Sequence, residues 1–267
     1  MRIAICYYGL VGSKNKKYGK GELLDPKICY EYYKKNIFQN EHKIDIFIHS
    51  QSIEFKKQLL RLYEPKLYKI EEQKNFFFKT ILHKKIIYEL ISFPLKCLIR
   101  KYKAHQLLTK FKNKFLRCLN LWSRWYSTQK VIDLKCEYEN INNFKYDLVM
   151  LTRLDLAFLT KFDFDNISSN HLTVPNHNDV PGPRNNYNQN IKKNNLTYEK
   201  GISDFWFVSS SKNIDLFSRL YYYFWNYNIS SHISSYEHAK KMNLKLNFYK
   251  YRGIDHEAIR RINNSEE

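Results

Sequence analysis

Glycine and proline are scarce in this chain, 7 and 6 among 267 residues. The scarcity accompanies an abundance of Lys, Asn, Ile and Tyr, a bias that an AT-rich genome imposes, so composition alone is weak evidence of function. The five cysteines, Cys6, Cys29, Cys97, Cys118 and Cys136, are scattered, with no C-x-x-C pair. The pattern suggests neither a disulfide framework nor a zinc site, and a reducing compartment fits it best. No stretch of about eighteen uncharged apolar residues occurs, which argues against a spanning helix. The apolar run near Met1 is too short for a signal peptide and reads as a first sheet strand. No internal repeat is present. Acid is in short supply, 26 Asp and Glu against 45 Lys and Arg, for a formal net charge of +19. The partner implied is anionic: a nucleotide, nucleic acid, phospholipid or acidic glycan.

What is present is an alternation of strand and helix patterns. Arg2 to Tyr8 reads as a buried strand, followed by a polar loop from Gly9 to Gly21. A helix is expected over Pro26 to Phe38, with Asp25 as its cap. A second buried strand runs from Lys43 to Ser50, a helix from Ile53 to Leu62, and a short strand from Lys66 to Ile70. This β-α-β-α-β order predicts a mostly parallel sheet covered by helices, within a single domain over 1–267.

Residues from about 75 to 120 differ. They are helical in pattern, strongly basic and rich in Phe, Leu and Ile at helical spacing, with Pro94 expected to separate two helices. Between Lys79 and Arg117 the only acid is Glu89. Such a basic amphipathic insertion suits an anionic membrane surface; equally, it can pack its apolar face on the core. Nucleic acid is the weakest of the three partners, because no recognised motif accompanies the charge.

Trp122 to Asn140 continues as a helix into the most informative stretch, Tyr146-Asp147-Leu148-Val149-Met150-Leu151-Thr152-Arg153-Leu154-Asp155. An apolar run that stops at an Arg and a carboxylate has the form of a buried strand whose carboxyl end binds a ligand. Arg153 can fork onto a phosphate and Asp155 can hold a divalent metal, so the pair points to a nucleotide-diphosphate site. Beyond it come a short strand near His171 to Val174 and a long polar loop from Pro175 to Lys200, which has the character of a lid. A strand follows at Asp204 to Val208, then a helix from Asn213. The chain closes with a helix, a strand (Lys245 to Tyr251) and a helix (Asp255 to Ile262).

The blocks Ala4-Ile5-Cys6-Tyr7-Tyr8-Gly9, Ile44-Asp45-Ile46-Phe47-Ile48-His49-Ser50, Tyr146 to Leu156 and Gly201-Ile202-Ser203-Asp204-Phe205-Trp206-Phe207 together resemble bacterial capsular and lipopolysaccharide glycosyltransferases with a GT-A-like, Rossmann-like α/β fold. The resemblance implies transfer of a sugar from a nucleotide-sugar donor to a glycan or lipid-linked acceptor, in the cytoplasm at the inner face of the membrane. In that group an Asp-x-Asp motif carries a metal on the donor diphosphate; here the matching place reads Arg153-x-Asp155. Either Asp155 suffices for Mn²⁺ or Mg²⁺, or Arg153 replaces part of the metal's charge. By the same resemblance Tyr7, Tyr8 and Gly9, with His49 and Ser50, would face the nucleotide, and Asp204 would receive the acceptor as general base. His256 would join Asp155 at the metal, and Arg252 would neutralise the departing nucleotide. Glu237 and Arg184 are lesser candidates for acceptor contacts. The alternative is a basic nucleic-acid or membrane-binding protein on a degenerate nucleotide-binding core.

Overall fold

The computed structural model describes residues 1–11, 24–39, 41–98, 104–176 and 201–259. The expected lid, with Arg184, lies outside them, as does most of the polar loop after Gly9. Strand β1 (Arg2–Gly9) is followed by α1 (Pro26–Tyr33), which continues as a π-helical turn over Lys34–Phe38. Asp25 caps α1, its carboxylate accepting from the amide of Lys27. Then come β2 (Lys43–Ser50), α2 (Lys56–Tyr63), β3 (Leu67–Ile70), α3 (Phe77–Ile81), α4 (Lys84–Leu98) and α5 (Ala104–Ile141). The second half contains β4 (Leu148–Arg153), β5 (Leu156–Phe158), β6 (Leu172–Asn176), β7 (Trp206–Ser209), α6 (Ser211–Ser218), α7 (Leu220–Tyr223), α8 (Ser231–Lys241), β8 (Leu246–Tyr251) and β9 (His256–Ala258).

Seven strands form one mixed sheet in the order β3-β2-β1-β4-β7-β6-β8. The pairs β1 with β2, β1 with β4, β2 with β3, and β6 with β8 are parallel; β7 alone runs against its neighbours β4 and β6. Strand β1 is buried on both faces, as the centre of a parallel sheet requires. Its alternate residues Ile3, Ile5 and Tyr7 join one core, beneath α1 and α2, and Ala4, Cys6 and Tyr8 join the other, beneath α5 and α6. The result is an α/β protein with a mostly parallel sheet flanked by helices, consistent with a Rossmann-like fold.

Two expectations need correcting. Pro94 does not separate two helices; it lies inside α4, next to the exposed Leu90 and Leu95, where water can serve a carbonyl that loses its helical donor. The helix expected over Trp122 to Asn140 is the second half of α5, which runs unbroken for 38 residues from the basic stretch onto the sheet. Its far end is pinned by a buried cluster in which Lys135 Nζ donates to Glu139 (3.0 Å), Asp215 (2.6 Å) and Ser211 (2.7 Å). Nor does Asp255 start a helix. Its carboxylate accepts from the backbone amide of Tyr251 at 2.8 Å and pairs with Lys250, closing a turn in which Gly253 has φ +82°. The residues after that turn form β9, paired antiparallel with β5.

Candidate functional site

The chain lays down β1, β2 and β3 outward in one direction and then sets β4 on the other side of β1. The carboxyl ends of β1 and β4 therefore flank a topological switch point, where open α/β sheets bind ligands. Register places Tyr8 beside Arg153 and Gly9 beside Ser50. The reversed direction of β7 brings its entering residues, Asp204 and Phe205, to this same edge. Strand β8, parallel to β6, delivers Arg252 there as well.

Three arginine–carboxylate pairs meet at this edge. Arg153 forks onto Asp155, Nε to Oδ1 at 2.7 Å and an Nη to Oδ2 at 2.5 Å. Arg252 Nε donates to Glu257 at 3.0 and 3.2 Å. Arg124, from the middle of α5, binds the Asp204 carboxylate and its backbone oxygen, and donates to Tyr8 Oη at 2.7 Å. Two of the guanidiniums share the Phe205 ring, Arg153 at 5.5 Å and Arg252 at 5.0 Å from its centroid. Burial pushes the Asp204 carboxyl up, but Arg124, helped by His232 and Arg153, overcomes this and holds it well below the usual carboxylate range. Two buried donors beside this cluster, Arg124 Nε and Gln51 Nε2, have no acceptor among the described residues.

Beneath it runs a second polar chain. His49 Nε2 meets Glu71 at 3.2 Å and His49 Nδ1 meets Ser127 Oγ at 2.7 Å, while the Gly9 amide donates to that same Oγ at 2.9 Å. Because a carboxylate only accepts, the neutral imidazole carries its proton on Nε2 and receives the Ser127 hydroxyl at Nδ1. Burial lowers the His49 pKa to about 4 despite Glu71. Burial raises the Glu71 carboxyl, yet hydrogen bonds from Tyr126, His49 and Lys69 bring it down to about 2. Ser50 Oγ donates to the Gly9 carbonyl at 2.9 Å. His49 and Ser50 are thus fully buried braces under the edge and do not line it.

Several expected residues are placed elsewhere. Tyr7 points to the opposite face, packed on Tyr33 and Tyr63, and belongs to the core. Glu237 accepts from the Asn228 amide in the turn before α8. His256 stands opposite Phe158 in the β5–β9 ladder, whereas Asp155 O accepts from the amide of Ile259 at 3.1 Å. The two expected metal ligands therefore lie three positions apart along the ladder, roughly 10 Å of strand. His256 is enclosed by Phe158, Phe205 and Trp206, and burial lowers its pKa to about 3. Asp155 supplies one carboxylate, already forked by Arg153, so this donor set does not fit a divalent ion. Among the described residues the one group of three or more potential ligands within reach of a common ion is Cys136, Glu139 and Asp215. The Lys135 ammonium already binds two of its members, Glu139 and Asp215.

Sequence reasoning missed Arg124, Ser127 and Glu71. A signal was present in Leu121 to Gln129: Ser123, Arg124, Ser127, Thr128 and Gln129 punctuate a Trp-rich helix on every side, and all but Arg124 are buried. Polar groups on all faces of a helix that is nonetheless buried need polar partners. Gly201 holds the approach to Asp204. Its φ is +115°, and a Cβ there would come within 2.5 Å of the His232 backbone. Gly201→Ala is expected to cost about 2–4 kcal/mol through strain and overpacking, read as a lower urea midpoint at unchanged m-value.

A scan against protein-family models finds no match to this chain, and a search of curated proteins finds none.

Proposed function

We propose that the protein is a glycosyltransferase of GT-A-like fold, moving a sugar from a nucleotide-diphosphate donor to a glycan acceptor in capsule or lipopolysaccharide synthesis. The observation that carries this reading is the gathering of Arg124, Arg153 and Arg252 at the sheet's switch point, two of them on one aromatic ring. A guanidinium fork bound to a carboxylate can exchange onto a diphosphate of matching geometry. Three such forks supply the charge that a metal otherwise brings to a leaving diphosphate. Tyr8 and Gly9, at the carboxyl end of β1, would face the nucleotide.

Asp204 takes the acceptor's proton in this scheme. While paired with Arg124 it is a weak base; transfer of that fork to the donor leaves a buried carboxylate whose pKa rises toward the range useful for general-base work. Donor binding and base activation are thereby coupled.

The test is thermal-shift screening against UDP, GDP, CMP and dTDP, each with and without Mn²⁺. One nucleotide is expected to raise the melting temperature selectively, without needing the metal. Asp204→Asn and Arg153→Met, both folded, are expected to lower sugar transfer by about a hundredfold or more. Wild-type turnover in both variants, or the same melting temperature with every nucleotide, would remove the assignment.

A further inference from the structure

We propose that the outer face of α4 is a docking surface for an anionic phospholipid bilayer, an inference that does not depend on the sugar-transfer reading. Helix α4 is amphipathic with its apolar strip turned outward. Ile87, Tyr88, Ile91 and Leu95 recur on successive turns and are all exposed, Ile91 to 75%. The inward strip holds the buried Ile86 and the acid Glu89, which Lys96 of α4 binds at 2.9 Å and Lys114 of α5 binds from across the hairpin. Neighbouring α3 adds Phe78 and its C-cap residue Leu82, exposed to 80% and 68%. An apolar face this extensive marks an interaction site.

The charge around it selects the occupant. Residues 75–120 carry eleven Lys and Arg against Glu89 alone, and that one acid is bridged within the hairpin. Lys84 begins the outward strip of α4, one turn before Ile87 and Tyr88, and Lys85 beside it is also exposed. Apolar side chains that enter the acyl boundary, flanked by ammonium groups at headgroup height, are the pattern of a helix lying in a bilayer surface. Among the described residues no helix is long and apolar enough to cross a membrane, so the contact is with the surface.

The experiment is sedimentation of the full chain with vesicles of phosphatidylcholine alone and of phosphatidylcholine containing phosphatidylglycerol, at low and high salt. Binding is expected to the anionic vesicles, weakened by salt. Lys84→Glu with Lys85→Glu is expected to lower it by about fivefold or more per lysine. Ile87→Ser, Ile91→Ser and Leu95→Ser combined are expected to lower it by about tenfold or more, with the wild-type melting temperature retained because all three positions are exposed. Equal binding to neutral vesicles, or undiminished binding by the triple variant, would overturn the proposal. So would a wild-type dimer that the triple variant dissolves and that ignores lipid, since the strip would then join two copies of the chain.

Discussion

Arg124→Met is expected to lower the free energy of unfolding by about 3–5 kcal/mol, the cost of stranding a buried carboxylate without its counter-ion. Asp204 has almost no access to water, and its other charged neighbours are more distant: His232 is 3.7 Å away and Arg153 is engaged with Asp155. With Arg124 gone, burial is opposed only by His232, Arg153 and the hydrogen bond from Ser231, and the Asp204 pKa moves up. The loss should therefore shrink as the pH falls and Asp204 takes up a proton. Urea denaturation of wild type and variant at pH 7.5 and at lower pH checks this. A difference that stays constant with pH would mean that Arg124 stabilises by packing on Tyr8 and Trp125, whose rings lie 5.5 and 5.2 Å from it. A double variant, Arg124→Met with Asp204→Leu, is expected to recover most of the loss, because removing both charges also removes the desolvation cost.

The second large effect is acid lability. His49, His83 and His238 share one arrangement: Nε2 faces an acceptor (Glu71, the Phe224 carbonyl, the Leu216 carbonyl), and Nδ1 faces a donor (the Ser127 hydroxyl, the Lys85 amide, the Tyr227 hydroxyl). A second proton on the His83 ring would put N–H against the Lys85 amide, and at His49 and His238 it would oblige the Ser127 or Tyr227 hydroxyl to turn from donating to accepting. Burial lowers all three pKa values to about 4, and that of His256 to about 3. In the unfolded chain these rings protonate below about pH 6.5. Between that value and 4 the unfolded state binds more protons, so stability is complete above pH 6.5 and falls as the pH drops. At pH 5.5 the four rings together forfeit roughly 5 kcal/mol, comparable to the whole stability of many domains. The depressed carboxylates Glu71, Glu89, Glu139, Asp204 and Asp255 add to the loss only below about pH 4.5. Tryptophan fluorescence during titration from pH 8 to 4 should show cooperative unfolding centred between about 6 and 4.5. An unchanged urea midpoint at pH 5 would refute this account.

The strands β1, β2 and β4 were legible because each is an apolar run cut off by polar residues, a pattern set by burial on both faces. Their carboxyl ends were legible for the same reason, and Tyr8, Gly9 and Arg153 do border the switch point. The direction of β7 was not, since nothing within Trp206–Ser209 records which neighbour it meets. That direction is what carries Asp204 and Phe205 to the site. Arg124 escaped notice because its partner lies 80 residues away and its own surroundings read as ordinary helix. The β9 segment misled for a local reason: an Asp after Gly and Ile has the look of a helix cap, but its carboxylate turns back to Tyr251. In α4 the periodicity was plain, yet periodicity alone does not say which strip faces in.

The continuity of α5 bears on how this architecture can be taken apart. A boundary drawn near residue 120 by composition falls inside one helix, between Lys114, which ties the surface hairpin together, and Arg124, which grips Asp204, ten residues or about 15 Å further along. The hairpin is therefore not a cassette. A graft or excision that treats it as one would also sever the support of Arg124 and Ser127, so a trimmed protein that loses activity says nothing about what the hairpin was for.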